Sequence, residues 1–312
     1  MNNVISVRRS IVARTLRLLA IPVFAFLAGS GVQAQQGFDF ISGQNVQPAY
    51  EGWDRNPDGS FNLYFGYYNR NWEEEPNIPV GTSNFLSPGT EDQGQPTHFY
   101  PRRQMYLFKV PVPADFGNKE LTWTLTHNGR TDKAVGWLAP FYEIDNTVLR
   151  SQRTGTQRES TPEEFQAAPP SIEAEGGTTA SATTGEPLTL AALVTDDGLP
   201  GPRTRRFGGR APDSSLVFLT PRDRNATTQD KVSALNALET GLAVTFIHYR
   251  GPGRARFEPM TSSVDAHGGR AETRVMFNAP GTHVIRAVVD DQIFTAPVNI
   301  TVTVTDARIS RQ

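Results

Sequence analysis

Residues 298–305 read Val298-Asn299-Ile300-Thr301-Val302-Thr303-Val304-Thr305, with an apolar side chain at every second position. Such alternation marks a strand buried on one face, because successive Cβ atoms leave a strand on opposite sides. Leu121-Thr122-Trp123-Thr124-Leu125-Thr126 has the same rhythm, which predicts Leu121, Trp123 and Leu125 in a core and the threonines toward water. Pro57-Asp58-Gly59 is a turn signal before the β-favouring run Ser60–Tyr68, predicting a hairpin at Asp58-Gly59, and Met105–Val112 is a further strand. Beyond Pro169, strands are expected over 171–175, 187–194, 243–249, 272–277, 282–289 and 298–305. Short strands separated by Pro and Gly turns make an all-β chain built as sandwiches.

The composition agrees. The chain has 312 residues, 38% of them hydrophobic, with 27 Gly and 23 Pro. It is rich in turns and poor in long helices, which excludes a coiled coil and a helical solenoid. Its length suits about two domains. Residues 35–145 form an aromatic-rich first domain, and 146–168 a polar linker with one helical turn at Thr161-Pro162-Glu163-Glu164, where Pro fits the first helical position. Residues 169–312 form the second. Within it, 203–241 break the strand rhythm. This excursion opens on Arg203-Thr204-Arg205-Arg206 with Arg210, and Val232, Leu235, Leu238 and Leu242 recur at helical spacing. The basic cluster reads as a solvated loop, with anion binding as the alternative.

Residues 1–34 read as an export signal. Arg8, Arg9, Arg14 and Arg17 precede an apolar run from Leu18 to Ala28, and small residues close on Val32-Gln33-Ala34. The run is shorter than the roughly 20 residues a bilayer span needs, so cleavage after Ala34 is expected, with a retained N-terminal anchor as the alternative. No later segment has the length and apolarity of a membrane span, which places the mature chain in the periplasm, outside the cell or at its surface. The net charge of −2 includes those four arginines, so the mature chain is mildly acidic and lacks the cationic face that nucleic acid requires. The absence of cysteine excludes disulfides, thiol catalysis and cysteine-held metals.

The second domain resembles immunoglobulin-like modules of the polycystic kidney disease (PKD) type found in bacterial secreted proteins. The resemblance rests on an ordered series: Pro169-Pro170-Ser171-Ile172, Gly185-Glu186-Pro187-Leu188-Thr189-Leu190, Thr195-Asp196-Asp197-Gly198, Val244-Thr245-Phe246 leading to Gly251-Pro252-Gly253, Phe277-Asn278-Ala279-Pro280-Gly281-Thr282-His283, and Ala287-Val288-Val289-Asp290-Asp291. Phe246 stands where the family usually has Trp and His283 where Tyr is usual, both expected to preserve the core. The first domain is similar to a recurrent module of bacterial secreted and surface proteins through Phe65-Gly66-Tyr67-Tyr68-Asn69-Arg70-Asn71, Ile78-Pro79-Val80-Gly81 and Asp92-Gln93-Gly94-Gln95-Pro96-Thr97. That similarity implies a second sandwich and an envelope or extracellular address, with no activity attached. Together they imply two tandem immunoglobulin-like β-sandwich domains after a signal peptide.

Chemistry-bearing motifs are few. Asp54-Arg55-Asn56-Pro57-Asp58-Gly59 opens like a calcium loop but has Phe65 where a bidentate Glu belongs, so it reads as a plain hairpin. Asp196-Asp197 and Asp290-Asp291 sit at predicted strand ends, where paired carboxylates either hold Ca2+ or cap solvated turns. The five histidines, His98, His127, His248, His267 and His283, have no metal-site spacing, and Glu73, Glu74, Glu75 and Asp92 read as a solvated face rather than a hydrolase pair. The ligand-binding candidates are therefore Trp53, Tyr67, Tyr68 and Trp72 with Arg70, whose rings, if exposed, suit stacking on sugars or a protein partner. The expectation is a non-catalytic binding or scaffolding module for envelope protein or polysaccharide, with a carbohydrate-binding accessory as the alternative.

Overall fold

The computed structural model describes residues 40–145, 162, 164–199, 201, 241–291 and 293–307. The export signal, most of the linker and all but the last residue of the 203–241 excursion lie outside the described residues.

The first sandwich packs two three-stranded antiparallel sheets. One contains β1 (Val46–Arg55), β2 (Phe61–Asn69) and β4 (Arg102–Val112) in the order β1-β2-β4. The other contains β3 (Asn84–Ser87), β5 (Leu121–His127) and β6 (Arg130–Gly136) in the order β3-β5-β6. The hairpin forms at Asp58-Gly59: Gly59 takes a φ of 86°, and the Ser60 amide donates to Asp58 Oδ1 at 3.0 Å. A side-chain oxygen accepting a nearby amide and a residue tolerant of positive φ are what a tight turn requires. Asp54, the first residue of the calcium-like stretch, accepts hydrogen bonds from the Asn62 amide and the Tyr64 hydroxyl across the β1–β2 hairpin.

Trp123 is the centre of this core. It stands edge-on to Phe108 and Phe65, stacks on Phe99, and donates its indole N–H to Asn84 Oδ1 at 2.9 Å. Leu121, Trp123 and Leu125 are all buried, as their alternation predicts. Thr124 departs from expectation and is also buried. It lies on the middle strand directly opposite Phe85 on one side and Lys133 on the other, and cross-strand neighbours at that spacing cover a small side chain.

The loops between β2 and β4 are held from inside by buried amides. Asn69 donates to the carbonyls of Glu74 and Phe99, Asn84 to those of Ile78 and Pro96, and Gln95 to that of Glu91. Each side chain is fully buried. A buried loop backbone must find partners, and these amides supply them.

The second sandwich has the immunoglobulin-like arrangement. β7 (Ser171–Ala174), β9 (Leu188–Thr195), β11 (Ala255–Glu258) and β13 (Gly268–Phe277) form a sheet in the order β11-β13-β9-β7. β8 (Thr179–Thr183), β10 (Leu242–Arg250), β12 (Thr261–Val264), β14 (Gly281–Asp290) and β15 (Thr295–Thr305) form the facing sheet in the order β12-β10-β14-β15-β8. The first strand of the fold is split: β7 pairs antiparallel with β9, and after Gly176-Gly177 the chain changes sheets so that β8 runs parallel to β15. On β15, Ile300, Val302 and Val304 are buried, and Thr303 and Thr305 are exposed. Phe246 is fully buried against this core.

The two sandwiches meet along one seam in a single compact body. The end of β10 and the turn after it, residues 249–254, bond to the loops of the first sandwich almost residue by residue. The Tyr249 carbonyl accepts the Thr97 and His98 amides, and its hydroxyl donates to the Gly94 carbonyl. Arg250 donates from Nε to the Gln95 carbonyl at 2.7 Å and grips Asp92 with both terminal nitrogens at 2.9 and 2.8 Å. Asn77 donates to the Gly253 carbonyl. Arg286 of β14 is buried, with its guanidinium 3.5 Å from the centre of the Tyr249 ring and Nη1 donating to the Leu107 carbonyl. A bidentate Arg–carboxylate fork fixes direction as well as distance, so this seam sets orientation.

Candidate functional site

The structure divides the aromatic candidates. Trp53 is buried, donating its indole N–H to the Ala139 carbonyl at 2.8 Å and meeting Phe61 edge-on. Tyr67 is fully buried against Phe99, and burial pushes its hydroxyl pKa well above the ordinary value. Neither presents a ring face to a ligand, which corrects their place among the surface candidates: on β2, Tyr67 follows the inward positions Leu63 and Phe65. Tyr68 and Trp72 are half-buried and share one guanidinium, that of Arg102, at 5.0 and 4.2 Å from their ring centres. Arg70 is exposed, and Arg102 takes the role expected of it. A cation held over two ring faces rigidifies both and occupies the faces it covers.

A second aromatic group, missed in the sequence, lies where β6 ends. Trp137 stacks on Tyr50 at 5.7 Å, Tyr142 meets both edge-on at 5.3 Å, and Phe141 leans on Tyr142 at 4.7 Å. Phe141 is 78% exposed. The group is carried by a 3-10 turn, Pro140–Tyr142, and that turn is fixed to β1 by the Trp53 indole on Ala139 and by the Ile144 amide on the Trp53 carbonyl. Trp53 therefore positions a surface instead of forming one. The signal in the sequence was Pro140, which opens the 3-10 turn and so takes Phe141 and Tyr142 out of strand alternation.

The acidic pairs separate in the same way. Asp197 accepts the amides of Leu199 and Ala168, pinning the chain as it leaves the linker. Asp196 accepts the Gly198 amide through Oδ2, and Asp290 lies in the β14–β15 ladder opposite Thr295. Asp291 is 1% exposed and accepts the amides of Ile293 and Phe294 through Oδ1. Its Oδ2 and the Oδ1 of Asp196 are buried without a hydrogen-bond partner. Desolvation pushes the Asp291 pKa up to about 7, with the nearby charges of Asp290 and Asp196 adding to it. Among the described residues no three His, Cys, Asp or Glu side chains are grouped to hold a metal ion, so a cation here would draw on carbonyl or water oxygens as well.

Because the folded pKa of Asp291 lies above its unfolded value, the native state binds the extra proton, and stability falls as pH rises from about 4 to 7. Asp291→Asn keeps an oxygen for the two amides and removes the charge. It is expected to be more stable than the parent at pH 8 by about 1–2 kcal/mol and to lose that advantage by pH 4.5, measured by denaturant unfolding at both pH values. Equal differences at the two pH values would show that Asp291 is not the titrating group.

The carboxylates of the first sandwich serve as fasteners. Glu74 accepts the Gly43 amide, Glu75 pairs with His98, and Arg250 holds the Asp92 pKa below its ordinary value. Glu51, which the sequence did not single out, is buried over a bulge where β1, β2 and β4 all shift register or backbone. Arg103 pairs with it at 2.6 Å, while burial raises its pKa. Gly66 is required beneath it, since a side chain there would collide with Glu51 and the Gln104 carbonyl.

No protein-family model matches the chain, and no curated protein matches it. Among solved structures it is similar to the fibronectin(III)-like modules of Clostridium thermocellum CbhA, at 10% identity over 85% of this chain and 96% of that one, with a TM-score of 0.23. The D0-D1 domain of intimin matches at 13% identity over 82% and 97%, TM-score 0.23. Domains 4 and 5 of the S-layer protein SbsC match at 10% identity over 84% and 98%, TM-score 0.22. At these scores the fold assignment rests on the chain's own ladders. Among the described residues no helix is long and apolar enough to cross a membrane.

Proposed function

We propose that this chain is an exported, non-catalytic scaffolding module that holds a partner in the bacterial envelope or outside the cell. The observation that supports it most directly is the seam: residues 249–254 are bonded to the loops at 77 and 92–98 through backbone, fork and side-chain contacts, which fixes the angle between two sandwiches. Export rests on the N-terminal 34 residues, and the PKD character of the second sandwich on its ordered signatures. The partner-facing surface of this reading is the turn at Trp137, Phe141 and Tyr142, where the 78% exposed Phe141 is braced by neighbouring rings. The calcium reading draws its support from the buried oxygens of Asp196 and Asp291 that lack a hydrogen-bond partner.

The test is a pull-down of the full chain against isolated envelope fractions and insoluble polysaccharides, with and without calcium. Phe141→Ala should change stability by less than about 0.5 kcal/mol, being at the surface. It should weaken envelope binding about tenfold or more if the turn is the anchor. A specific observation also favours the polysaccharide reading: Trp137 and Tyr142 are held rigid, as ring stacking on a sugar requires. Saturable polysaccharide binding lost in Trp137→Ala would establish it over the envelope-protein reading. Unchanged binding in both variants would remove this surface from either.

A further inference from the structure

Three histidines from distant parts of the sequence meet in the seam. The ring of His98, from a loop of the first sandwich, lies 4.6 Å from that of His248 on β10, which lies 5.1 Å from that of His283 on β14. All three are buried. The hydrogen bonds settle where their protons sit. His283 Nε2 faces the Ala279 carbonyl at 3.0 Å, so it carries the hydrogen, and its Nδ1 accepts from His248 Nε2 at 3.1 Å. His248 Nδ1 is therefore a bare lone pair, buried and without a partner. His98 faces acceptors on both sides: Glu75 at 3.3 Å from Nε2, and at Nδ1 the Asn77 carbonyl oxygen, 2.8 Å away, whose amide nitrogen is committed to Gly253.

We propose that the seam is a proton-sensitive clasp: His98, held between Glu75 and Asn77, lies against the neutral pair His248 and His283, and a proton entering that buried pair parts the sandwiches without unfolding either. The groups facing the stack leave a positive charge on His248 or His283 uncompensated. Besides Glu75 and Asn77 they are the Tyr100 hydroxyl, which accepts the His248 amide and meets His98 edge-on, Phe277 against His283, and Arg254, which shares Glu75 with His98 at 3.7 Å. Gly251 leaves no room to relax, since a side chain there would lie 2.7 Å from His283 Nδ1 and 2.9 Å from His248 Nε2.

The direction follows from linkage. Burial lowers the pKa of His248 to about 2, and burial also lowers that of His283, against 6.5 when solvated. The closed seam thus binds fewer protons than the open one, and it loses stability as pH falls below about 6.5. Each pH unit below that shifts the balance about tenfold toward opening for His248, or about 100-fold at pH 4.5. The Asp92–Arg250 fork is not the trigger in this range, because its carboxylate titrates below the ordinary value of 3.8. The clasp does not depend on which partner the module holds.

The test is solution X-ray scattering of the full chain from pH 7.5 to 4.5, with circular dichroism on the same samples. The scattering should expand with acid while the strand signal is kept. In His248→Gln, which keeps a donor toward His283 but cannot titrate, the expansion midpoint should move down by about one pH unit or more. Imidazole 15N spectra at pH 7.5 test the same idea without a variant, and should show His248 and His283 as neutral Nε2–H forms. Scattering unchanged to pH 4.5, expansion only with loss of the strand signal, an unshifted midpoint in a folded His248→Gln, or any other tautomer pattern overturns the clasp.

Discussion

Trp123→Ala is expected to lower the unfolding free energy by about 3–5 kcal/mol, the range for removing a large buried aromatic from a core that cannot collapse around the void. Collapse is opposed here by the facing sheet and by a loop. Phe65 and Phe108 on that sheet meet the indole edge-on, and Phe99 of the loop before β4 stacks on it, so each would lose a ring partner, and the two strand residues cannot advance without leaving their register. The substitution also leaves Asn84 Oδ1 buried without its donor, in a side chain whose amide holds the loop carbonyls of Ile78 and Pro96. Loss of a core ring and of a loop support should appear together in thermal denaturation and in hydrogen exchange. A cost under about 1.5 kcal/mol would mean that the first sandwich repacks, contrary to the close-packed interior described above.

Arg286→Met is expected to split the unfolding of the protein into two transitions. The side chain is buried on β14, and desolvation lowers its pKa, yet among the described residues no carboxylate pairs with it. Its charge is compensated by the face of Tyr249, the Asn299 side chain and the Leu107 carbonyl, the last belonging to the other sandwich. Met replaces the stem but supplies no donor, leaving the Leu107 carbonyl and the ring face unpartnered at a cost of about 2–4 kcal/mol. That cost falls on the seam instead of on either core. Calorimetry of the parent should give one endotherm and of the variant two, whereas a single endotherm at an unchanged temperature would show that Arg286 does not couple the sandwiches.

What the sequence discloses depends on how local the cause is. Alternation in Leu121–Thr126 and Val298–Thr305 marked both cores, and Asp58-Gly59 marked its hairpin, because period and turn chemistry lie within a few residues. The strands β3, β6, β8, β11 and β12 escaped notice. Thr179–Thr183, for example, has only threonine, serine and alanine and is a strand because β15 offers it a ladder. Trp53 and Tyr67 looked like surface candidates, since a single strand does not say which of its faces a second sheet will cover. The histidine stack was invisible to motif spacing. His98 and His248 are brought together by the seam, and the substitution of His for the usual Tyr at 283, expected only to preserve a core, places a titrating ring at its end.

The parallel pairing of β8 with β15 has a mechanical consequence. The chain enters β8 at one end of that ladder and leaves β15 at the other, so tension applied between the two termini of the second sandwich pulls the strands past each other lengthwise. Every rung from Thr301 opposite Thr179 to Thr305 opposite Thr183 then carries load at once, where a hairpin pulled at its open end would yield one rung at a time. The split first strand makes the second sandwich a link suited to bearing force along the chain.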